Sequence, residues 1–345
     1  MSEPVTIVIP HFRAPTLSAC LEALFAHSDW PLCVIVVDDG PGGPAIQEAQ
    51  ARFPQVQVLR NERNLGFTAS CNRGLALART RYAVLLNDDT RVAAGWLHPL
   101  VEAAERDPSL AACQPKLLSA ADPGRFDYGG AAGGYIDRLG YTFCRGRLFD
   151  HCEKDAGQYD RPVPIFWACG AALFLSMEAV RRVGLLDEEY FMHFEEIDLC
   201  WRFHLAGYRL VAVPASVVFH HSGQSLPPSS FLKAYLNHRN NLVLLCKNLG
   251  LLQLLWVLPA RLCLQLLGSL LFLFRGKFSL ALAPVAALGW LVLHPLQVRR
   301  RRRRAQALRR VRDADIRDGV YSGSAVYQYF ARRVRTAGRL VPEGA

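Results

Sequence analysis

Four short stretches of this 345-residue chain carry side chains that could do chemistry. The apolar run Tyr82–Leu86 ends abruptly in Asn87-Asp88-Asp89-Thr90. A run of this length reads as a buried strand of a parallel sheet. In open α/β sheets, ligands bind beyond the carboxyl ends of the strands. Carboxylates at that edge suit a hard divalent cation, Mg2+ or Mn2+, which would hold substrate phosphates through one or two acids and several waters. The alternative is a strand followed by a helix cap, since Asp88, Asp89 and Thr90 are all capping types. Cys33–Val37 repeats the pattern and ends in Asp38-Asp39-Gly40. A carboxylate there can accept hydrogen bonds from a ribose or a base N–H. A capped turn before Gly42-Gly43 is again the alternative.

The third stretch is His193-Phe194-Glu195-Glu196-Ile197-Asp198-Leu199-Cys200-Trp201-Arg202. Phe194, Ile197 and Trp201 have helical spacing, and Gly207 ends the helix. Glu195, Asp198 and Arg202 then share a face, with Asp198 set to pair with Arg202. Acids at a helix start are favoured by the helix dipole alone. Crowded among aromatics and like charges, they could instead be raised towards the pKa of a general base. The fourth stretch is His220-His221, at the end of the apolar run Ser216–Phe219. Imidazole suits manganese and other transition metals.

These groups need elements to position them. Val5–Ile9 is a β-branched strand, and Pro10-His11-Phe12-Arg13 reads as the loop at its carboxyl end. A helix over residues 15–26 and a strand Val56–Leu59 follow. Gly66 allows a sharp turn or close backbone approach to a ligand. Small residues from Ala69 to Ala78 suit a helix packed tightly on a sheet. Gln114–Leu118 reads as a strand, and Asp127–Arg147 as an irregular loop with a hairpin. Phe166–Leu175 reads as a strand in which Gly170 and Ala171 let a sugar sit against backbone. Met177–Val183 is a short helix stopped by Gly184. Tyr208–Val213 and Ser216–Phe219 read as two strands. No G-x-G-x-x-G follows the first strand and no Walker motif occurs, against a nicotinamide dehydrogenase or a P-loop NTPase.

Composition narrows the class. Half the chain is apolar, against disorder. The net charge of +10 is concentrated in Arg299–Arg304 with Arg309, Arg310 and Arg312, so it says little about a site. The ten cysteines form no Cys-x-x-Cys pair, and neither zinc nor a disulfide framework is expected. The N-terminus shows no signal-peptide pattern.

Val36-Val37-Asp38-Asp39-Gly40, Asn64-Leu65-Gly66-Phe67 with Asn72 downstream, and Leu85–Thr90 together resemble glycosyltransferase family 2 with the GT-A fold. Phe166-Trp167-Ala168-x-Gly170-Ala171, Gly184-x-x-Asp187-Glu188-x-Tyr190-Phe191 and Glu195–Arg202 resemble its bacterial non-processive branch, close to rhamnosyltransferases. The resemblance covers roughly Val5 to Leu249. It implies an α/β fold, a GT-A (Rossmann-like nucleotide-diphospho-sugar transferase) mixed sheet with flanking helices. It implies that Asp38 and Asp39 contact the nucleoside, with Pro10, His11, Phe12, Asn64, Gly66, Phe67, Asn72, Trp167, Gly170 and Ala171 around the substrates. Asp89 would be the metal ligand of the DXD motif, joined by His220, whose place is matched by its spacing to Ser225. Asn87 stands where the first acid of that motif would be, with Asp88 in the middle. Glu196 aligns with the family's catalytic base, more often an aspartate, and Glu195 and Asp198 would orient or support it.

The expected activity is inverting, metal-dependent transfer of one sugar from a UDP- or dTDP-type nucleoside-diphosphate-sugar to a hydroxyl of a lipid-linked or cell-surface glycan. A sugar-phosphate nucleotidyltransferase and a non-catalytic nucleotide-sugar or glycan-binding scaffold are the alternatives. No Gln-x-x-Arg-Trp motif marks a processive synthase. The expected organisation is a GT-A domain at 1–225, its nucleotide half 1–115 and its acceptor half 116–225. Membrane-associated helices at 226–300 and a basic tail at 301–345 would follow. Phe231–Leu249 is helical and carries Asn237-His238-Arg239-Asn240-Asn241. Leu251–Phe274 is apolar but interrupted by Gln253, Pro259, Arg261 and Gln265, whereas Phe278–Val298 is cleaner and long enough to span. Arg275-Gly276-Lys277 joins them, and interfacial helices compete with true spans. The arginine cluster would meet an anionic leaflet rather than nucleic acid. This places the chain on the cytoplasmic face of a bacterial inner membrane.

Overall fold

The computed structural model describes residues 3–40, 42–222 and 230–341. The β-branched run at the start forms β1 (Val5–His11), with every side chain buried. Pro10 and His11 therefore complete the strand instead of opening the expected loop, because both still pair with β2 (Leu32–Asp38). Between these strands lies α1 (Leu17–His27); α2 (Pro44–Arg52), β3 (Gln57–Arg60), α3 (Phe67–Leu77) and β4 (Tyr82–Leu86) follow. β1 lies parallel between β2 and β4, and β3 pairs parallel with β2. Parallel strands end at one edge, so Asp38 and Asn87 emerge on the same side. A Cβ on Gly74 would stand 2.2 Å from Val8 Cγ1, so glycine is what lets α3 lie this close on β1.

The sheet is extended by β5 (Thr90–Val92), β6 (Leu110–Ser119), β11 (Val163–Pro164), β12 (Ala172–Ser176) and β13 (Arg209–His220), with α4 (His98–Arg106) before β6. Among the described residues it has nine strands in the order β11-β13-β6-β12-β4-β1-β2-β3, with β5 beside β13. β12 runs antiparallel to both β4 and β6, which makes the sheet mixed. The two strands expected over 208–219 are one strand, bulged between Val213 and Val217 where its register against β6 shifts. The strand expected from Phe166 begins only at Ala172. Phe166 and Trp167 bond instead to Gly134, the Phe166 N–H to its carbonyl and the Trp167 carbonyl to its N–H.

Gly134 belongs to a second, small sheet inside the stretch expected to be irregular. β7 (Gly134–Asp137), β8 (Thr142–Cys144), β9 (Arg147–Leu148) and β10 (His151–Cys152) form an antiparallel meander there. Its other edge takes β14 (Val320–Tyr321), which pairs with β7. Ala325, Tyr329, Ala337 and Leu340 then pack with Phe143 and Leu148. Thus the segment after 301, expected as a basic tail, folds back and completes a sheet.

Helices α5 (Met177–Val183), α6 (Glu195–Leu205), α7 (Phe231–Asn248), α8 (Leu251–Phe274), α9 (Phe278–Leu293) and α10 (Pro295–Ala307) make up the rest. The apolar stretch Phe278–Val298 is not one helix. It breaks at His294, and α10 turns away by 80°, with Pro295 placed to start a helix but not to continue one. Among the described residues α8 is the one unbroken helix long and apolar enough to cross a membrane. Several arginines of α10 serve the fold. Arg300 pairs with Glu189 (2.9 Å), Arg301 with Asp187 (2.9 Å), and Arg302 donates to the carbonyls of Cys246 (2.7 Å) and Leu249 (2.6 Å).

Asp198 gathers these helices. Its Oδ2 accepts from Arg202 Nε at 2.9 Å and Lys247 Nζ at 2.8 Å; its Oδ1 accepts from Asn248 Nδ2 at 2.9 Å and the Tyr190 hydroxyl at 3.3 Å. Arg202 also donates to the carbonyls of Val183, Gly184 and Leu185. Lys247 reaches Asp187 as well. Burial alone would raise the Asp198 carboxyl, but Lys247 and Arg202 outweigh it and hold the group well below the usual carboxylate range. Replacing Asp198 by Asn leaves buried Arg202 without its carboxylate and Lys247 with Asp187 alone, and should cost about 3–5 kcal/mol in urea unfolding at neutral pH. A carboxyl held low in the folded state stabilises fully above its unfolded pKa, about 3.9. That contribution is lost as pH falls through the folded value. The gap between wild type and Asp198→Asn should therefore stay level from neutral pH to just above that unfolded value and shrink only below it.

Candidate functional site

A cavity of about 340 Å³ opens where the end of β4, the start of α6, the small sheet and the first turns of α7 meet. Asn87, Asp89 and His220 line one corner. Strand pairing explains how a histidine so distant in sequence arrives there: β13 lies antiparallel to β5 with His220 opposite Thr90. His220 Nε2 stands 3.2 Å from Asp89 Oδ1 and 3.4 Å from Asn87 Nδ2. Its Nδ1 is 3.0 Å from Asp127 Oδ2, which also accepts from the Ser222 hydroxyl and the Gly129 N–H. Burial alone would lower the His220 pKa, but Asp127 and Asp89 outweigh it and push it up to about 10. Asn87 Oδ1 is buried without a hydrogen-bond partner.

These donors fit a divalent cation. A carboxylate and an imidazole face each other, the imidazole is oriented from behind by a second carboxylate, and an amide oxygen beside them lacks a partner. A carboxylate holding a ligating histidine is the usual outer support of a metal site. Among the described residues no three His, Cys, Asp or Glu side chains converge as ligands. The chain would therefore supply Asp89 and His220, with water and phosphate oxygens completing the shell. Asp88 faces elsewhere, its Oδ2 2.7 Å from His11 Nδ1, and so ties the end of β4 to the end of β1.

Glu195 and Glu196 line the opposite wall, and each has an Oε2 that is buried with no partner. Burial raises the Glu196 carboxyl to about 7; burial and then the charge of Glu196 raise Glu195 further. The turn that delivers them is strained. Phe191, His193 and Phe194 all have positive φ, a region that side chains rarely adopt. It is held from α7: Asn240 Nδ2 donates to the carbonyls of Tyr190, Met192 and His193 at 3.2, 2.9 and 2.8 Å. Arg239 adds bonds to the carbonyls of Glu189 and Tyr190. Gly170 sits between the walls, where a Cβ would stand 3.7 Å from the Phe67 ring and 3.8 Å from Glu196 Cβ.

The structure thus brings Phe67, Asn87, Asp89, Gly170, Ala171, Glu195, Glu196 and His220 to one cavity. Pro10, His11, Phe12, Asp38, Asp39, Asn64 and Gly66 lie along the neighbouring strand ends, outside it. There Asp38 accepts from Gly40 N and Arg60 Nε. Asp39 does not present a free carboxylate. Both its oxygens accept from the loop that starts α3, from Asn61 Nδ2 (2.6 Å), Leu65 N (2.7 Å) and Gly66 N (2.8 Å). Asn64 also caps Gly66 N (2.9 Å), and Gly66 has φ 89°.

Three further expectations are corrected. Asp198 is spent on the ion cluster and lines no part of the cavity. Asn72 is engaged with Leu186, donating to its carbonyl and accepting from its N–H, and with Glu188. Trp167 donates to the Tyr135 carbonyl (3.0 Å) and packs on Gly134. In each case a polar or aromatic motif residue joins two segments of chain. Gly223, Gln224 and Ser225, which gave the spacing for His220, lie outside the described residues; His221 gives only its N–H to the Asp89 carbonyl. Sequence reasoning passed over Asp127, Arg147, His193, Lys233, Asn237 and the clamp Asn240. Only Asp127 carried a local sign, an acid two residues before Gly129, whose N–H its side chain takes (2.6 Å).

Comparison with known proteins places the chain among glycosyltransferases. The model of the family described as glycosyl transferase family 2 matches residues 6–151, and that of glycosyl transferase family group 2 matches residues 82–296. N-acetylglucosaminyl-diphospho-decaprenol L-rhamnosyltransferase of Mycobacterium tuberculosis (strain ATCC 25618 / H37Rv) is 27% identical over 259 residues, 69% of this chain and 82% of the relative. Pre-mycofactocin glycosyltransferase of the same organism is 31% identical over 63% of this chain, but over only 42% of its own length. Among solved structures, the mannosyltransferase PcManGT from Pyrobaculum calidifontis, in complex with GDP-Man and Mn2+, superposes with a TM-score of 0.53 at 16% identity. It covers 86% of this chain and 88% of that one. GalNAc-T7 with UDP, GalNAc and Mn2+ gives 0.56 at 17% identity, over 70% of this chain and 47% of that one. At such identities the likeness shows the shared GT-A fold.

The support of His220 by Asp127 can be read out directly. Asp127→Asn should weaken Mn2+ binding by about 10- to 100-fold, the usual effect of losing such a partner. Titration of free Mn2+ by electron paramagnetic resonance measures it. Unchanged affinity would remove Asp127 from that role.

Proposed function

The chain belongs to glycosyltransferase family 2, whose group model matches residues 82–296, and from that premise we propose that it transfers a single sugar, with inversion, onto a lipid-linked acceptor at a membrane surface. The observation that carries this reading is the cavity itself. A carboxylate–imidazole corner faces a pair of glutamates whose outer oxygens have no partner. In this reading the nucleoside-diphosphate end of the donor lies toward the ends of β1 and β2, and the reacting sugar lies against Gly170 and Ala171.

Glu196 takes the proton of the acceptor hydroxyl as that oxygen attacks the anomeric carbon. The new glycosidic C–O bond forms on one face while the bond to the diphosphate breaks on the other. Inversion follows from a single displacement, and it needs one base rather than the nucleophile and acid of a retaining pair. A carboxyl raised to about 7 suits a base that works near neutral pH. Burial keeps Glu196 in an apolar setting, and Asn240 fixes the turn that aims it. A divalent cation held by Asp89 and His220 would supply Lewis-acid stabilisation of the departing diphosphate.

The acceptor class is taken from the rhamnosyltransferase of Mycobacterium tuberculosis, whose name specifies a diphospho-decaprenol acceptor; a rhamnosyl donor is proposed on the same ground. Exposed leucines along α8 and α9 support attachment to a membrane. Arg299, Arg303 and Arg304, around a surface hollow of α10, suit an anionic leaflet. We place the enzyme on the cytoplasmic face of a bacterial plasma membrane, where nucleotide-sugars are made.

The test is donor hydrolysis across a panel of nucleotide-sugars in detergent with Mn2+ or Mg2+, followed by transfer to a polyprenyl-diphosphate sugar. One donor should release its nucleoside diphosphate slowly, and Asp89→Ala should abolish release. Pyrophosphate from a nucleoside triphosphate would point to a nucleotidyltransferase instead. Glu196→Gln should lower kcat for transfer by about 100- to 10,000-fold, the range for general-base catalysis, with donor affinity little changed. In the wild type, kcat should fall as pH drops through about 7, because protonated Glu196 cannot accept the hydroxyl proton. Normal turnover by Glu196→Gln would exclude it as the base.

A further inference from the structure

Helix α8 is built inside out. Its buried residues are Val257, Arg261, Gln265 and Ser269, spaced one turn apart along a single stripe. Leu252, Leu267 and Phe274 stand more than half exposed on the rest of the helix. A helix on a water-soluble domain buries its apolar stripe; here the stripe facing the protein is mostly polar.

Two of those polar residues keep buried atoms with no hydrogen-bond partner among the described residues. Ser269 donates to the Ala281 carbonyl of α9. Arg261 Nε and Nη1, and both amide atoms of Gln265, are buried without any hydrogen-bond partner. The two side chains are 6% and 4% exposed. The Arg261 guanidinium lies over the ring of Tyr141. The carboxylate whose charge reaches it is Asp137, and that group is already taken by the N–H groups of Leu139, Tyr141 and Ala325. A buried guanidinium with no carboxylate hydrogen-bonded to it is poorly compensated. Fork-shaped guanidinium donors match phosphate oxygens, and a neighbouring amide can add a third donor.

The position is informative too. Tyr141 immediately precedes Thr142, and Thr142 lines the cavity that holds Glu196 and Asp89. On α7, Asn237 lines the same cavity, and the next residue, His238, is pushed down to about 4 by burial and then by the charge of Arg261. Arg261 therefore lies against residues whose chain neighbours line the reacting cavity, on the helix that carries the exposed leucines, and Gln265 is one turn further along the same stripe.

Resting on the transferase reading above, we propose that Arg261 and Gln265 bind the phosphate or diphosphate group that joins the acceptor's sugar to its polyprenyl chain. The guanidinium and the Gln265 amide donate to phosphate oxygens. The sugar then points past Thr142 and Asn237 toward Glu196, and the hydrocarbon runs along the leucines of α8. This gives the buried guanidinium the hydrogen-bonded anion that Asp137 does not provide, and gives the acceptor one fixed direction.

The experiment uses the full chain in detergent with farnesyl diphosphate, farnesol and inorganic pyrophosphate as probes, read by calorimetry. Farnesyl diphosphate should bind at least tenfold more tightly than either of the others. Arg261→Gln should lose at least tenfold of that affinity, and Arg261→Lys should recover part of it. Gln265→Leu, which leaves no uncompensated charge behind, should lose affinity as well and guards against a variant that merely misfolds. Donor affinity reports whether each variant is folded. Equal binding of farnesyl diphosphate by wild type and by folded Arg261→Gln would overturn the proposal. So would farnesol binding as tightly as its diphosphate. Pyrophosphate binding as tightly as farnesyl diphosphate would make this a free-phosphate site and overturn the lipid assignment. Failure of the transferase reading shows separately, as a wild type that binds farnesyl diphosphate but releases nothing from any nucleotide-sugar.

Discussion

A single buried carboxylate sets the geometry on which the rest depends. Asp198 draws the cations of Arg202 and Lys247 to one side of α6. Through them it fixes the segment before α6, the end of α7 and, by way of Asp187 and Arg301, α10. The consequence is a partition of charge along one turn of helix. Asp198 receives the available cations and is held low, whereas Glu195 and Glu196 receive none and are raised. Had the cations been shared, Glu196 would be an ordinary ionised side chain and a weaker base. One buried ion cluster therefore supports both the architecture and the chemistry, although the acid that forms it never meets the cavity.

The same division explains what was legible in the sequence. Strand ends were readable because a buried parallel strand has an unmistakable composition, and an acid at its end cannot be core. That put Asp38 at the end of β2 and Asp89 just beyond β4 without knowledge of any contact, whereas Glu196 was reached through the helical spacing of α6. Asp198, Asn72 and Trp167 were misjudged for one physical reason. A buried polar group must be satisfied, so a motif keeps polar residues that stitch segments together as firmly as those that meet substrate. Nothing in a linear pattern separates the two. Asp127 and Asn240 were missed because their partners, His220 and the carbonyls of residues 190–193, are distant in sequence. The small sheet was hidden by strands of two to four residues, too short for a period to show.

Charge was misleading in a related way. Arginines 299–312 read as a cluster meeting an anionic leaflet, yet Arg301 is buried against Asp187 and Tyr190, and Arg309 bridges Asp313 and the Asn248 carbonyl. Composition reports charge; only the fold reports which charges are already neutralised. Arg299, Arg303 and Arg304 make no ion pair among the described residues and remain for an external partner.

Polarity along α7, α8 and α9 then has one consistent interpretation. α9 is short for a span and bends sharply into α10, whereas α8 is long enough but carries Arg261 and Gln265 at mid-length. Facing lipid, those side chains would make α8 a poor membrane helix. Facing inward, they would suit an interfacial hairpin, its leucines toward lipid and its polar stripe toward the protein. The features that spoil α8 as a span are thus the ones that suit it to the edge of an active site. In the function proposed above, a water-borne donor and a membrane-borne acceptor would meet at such an edge, with the base on α6 held between them by Asn240.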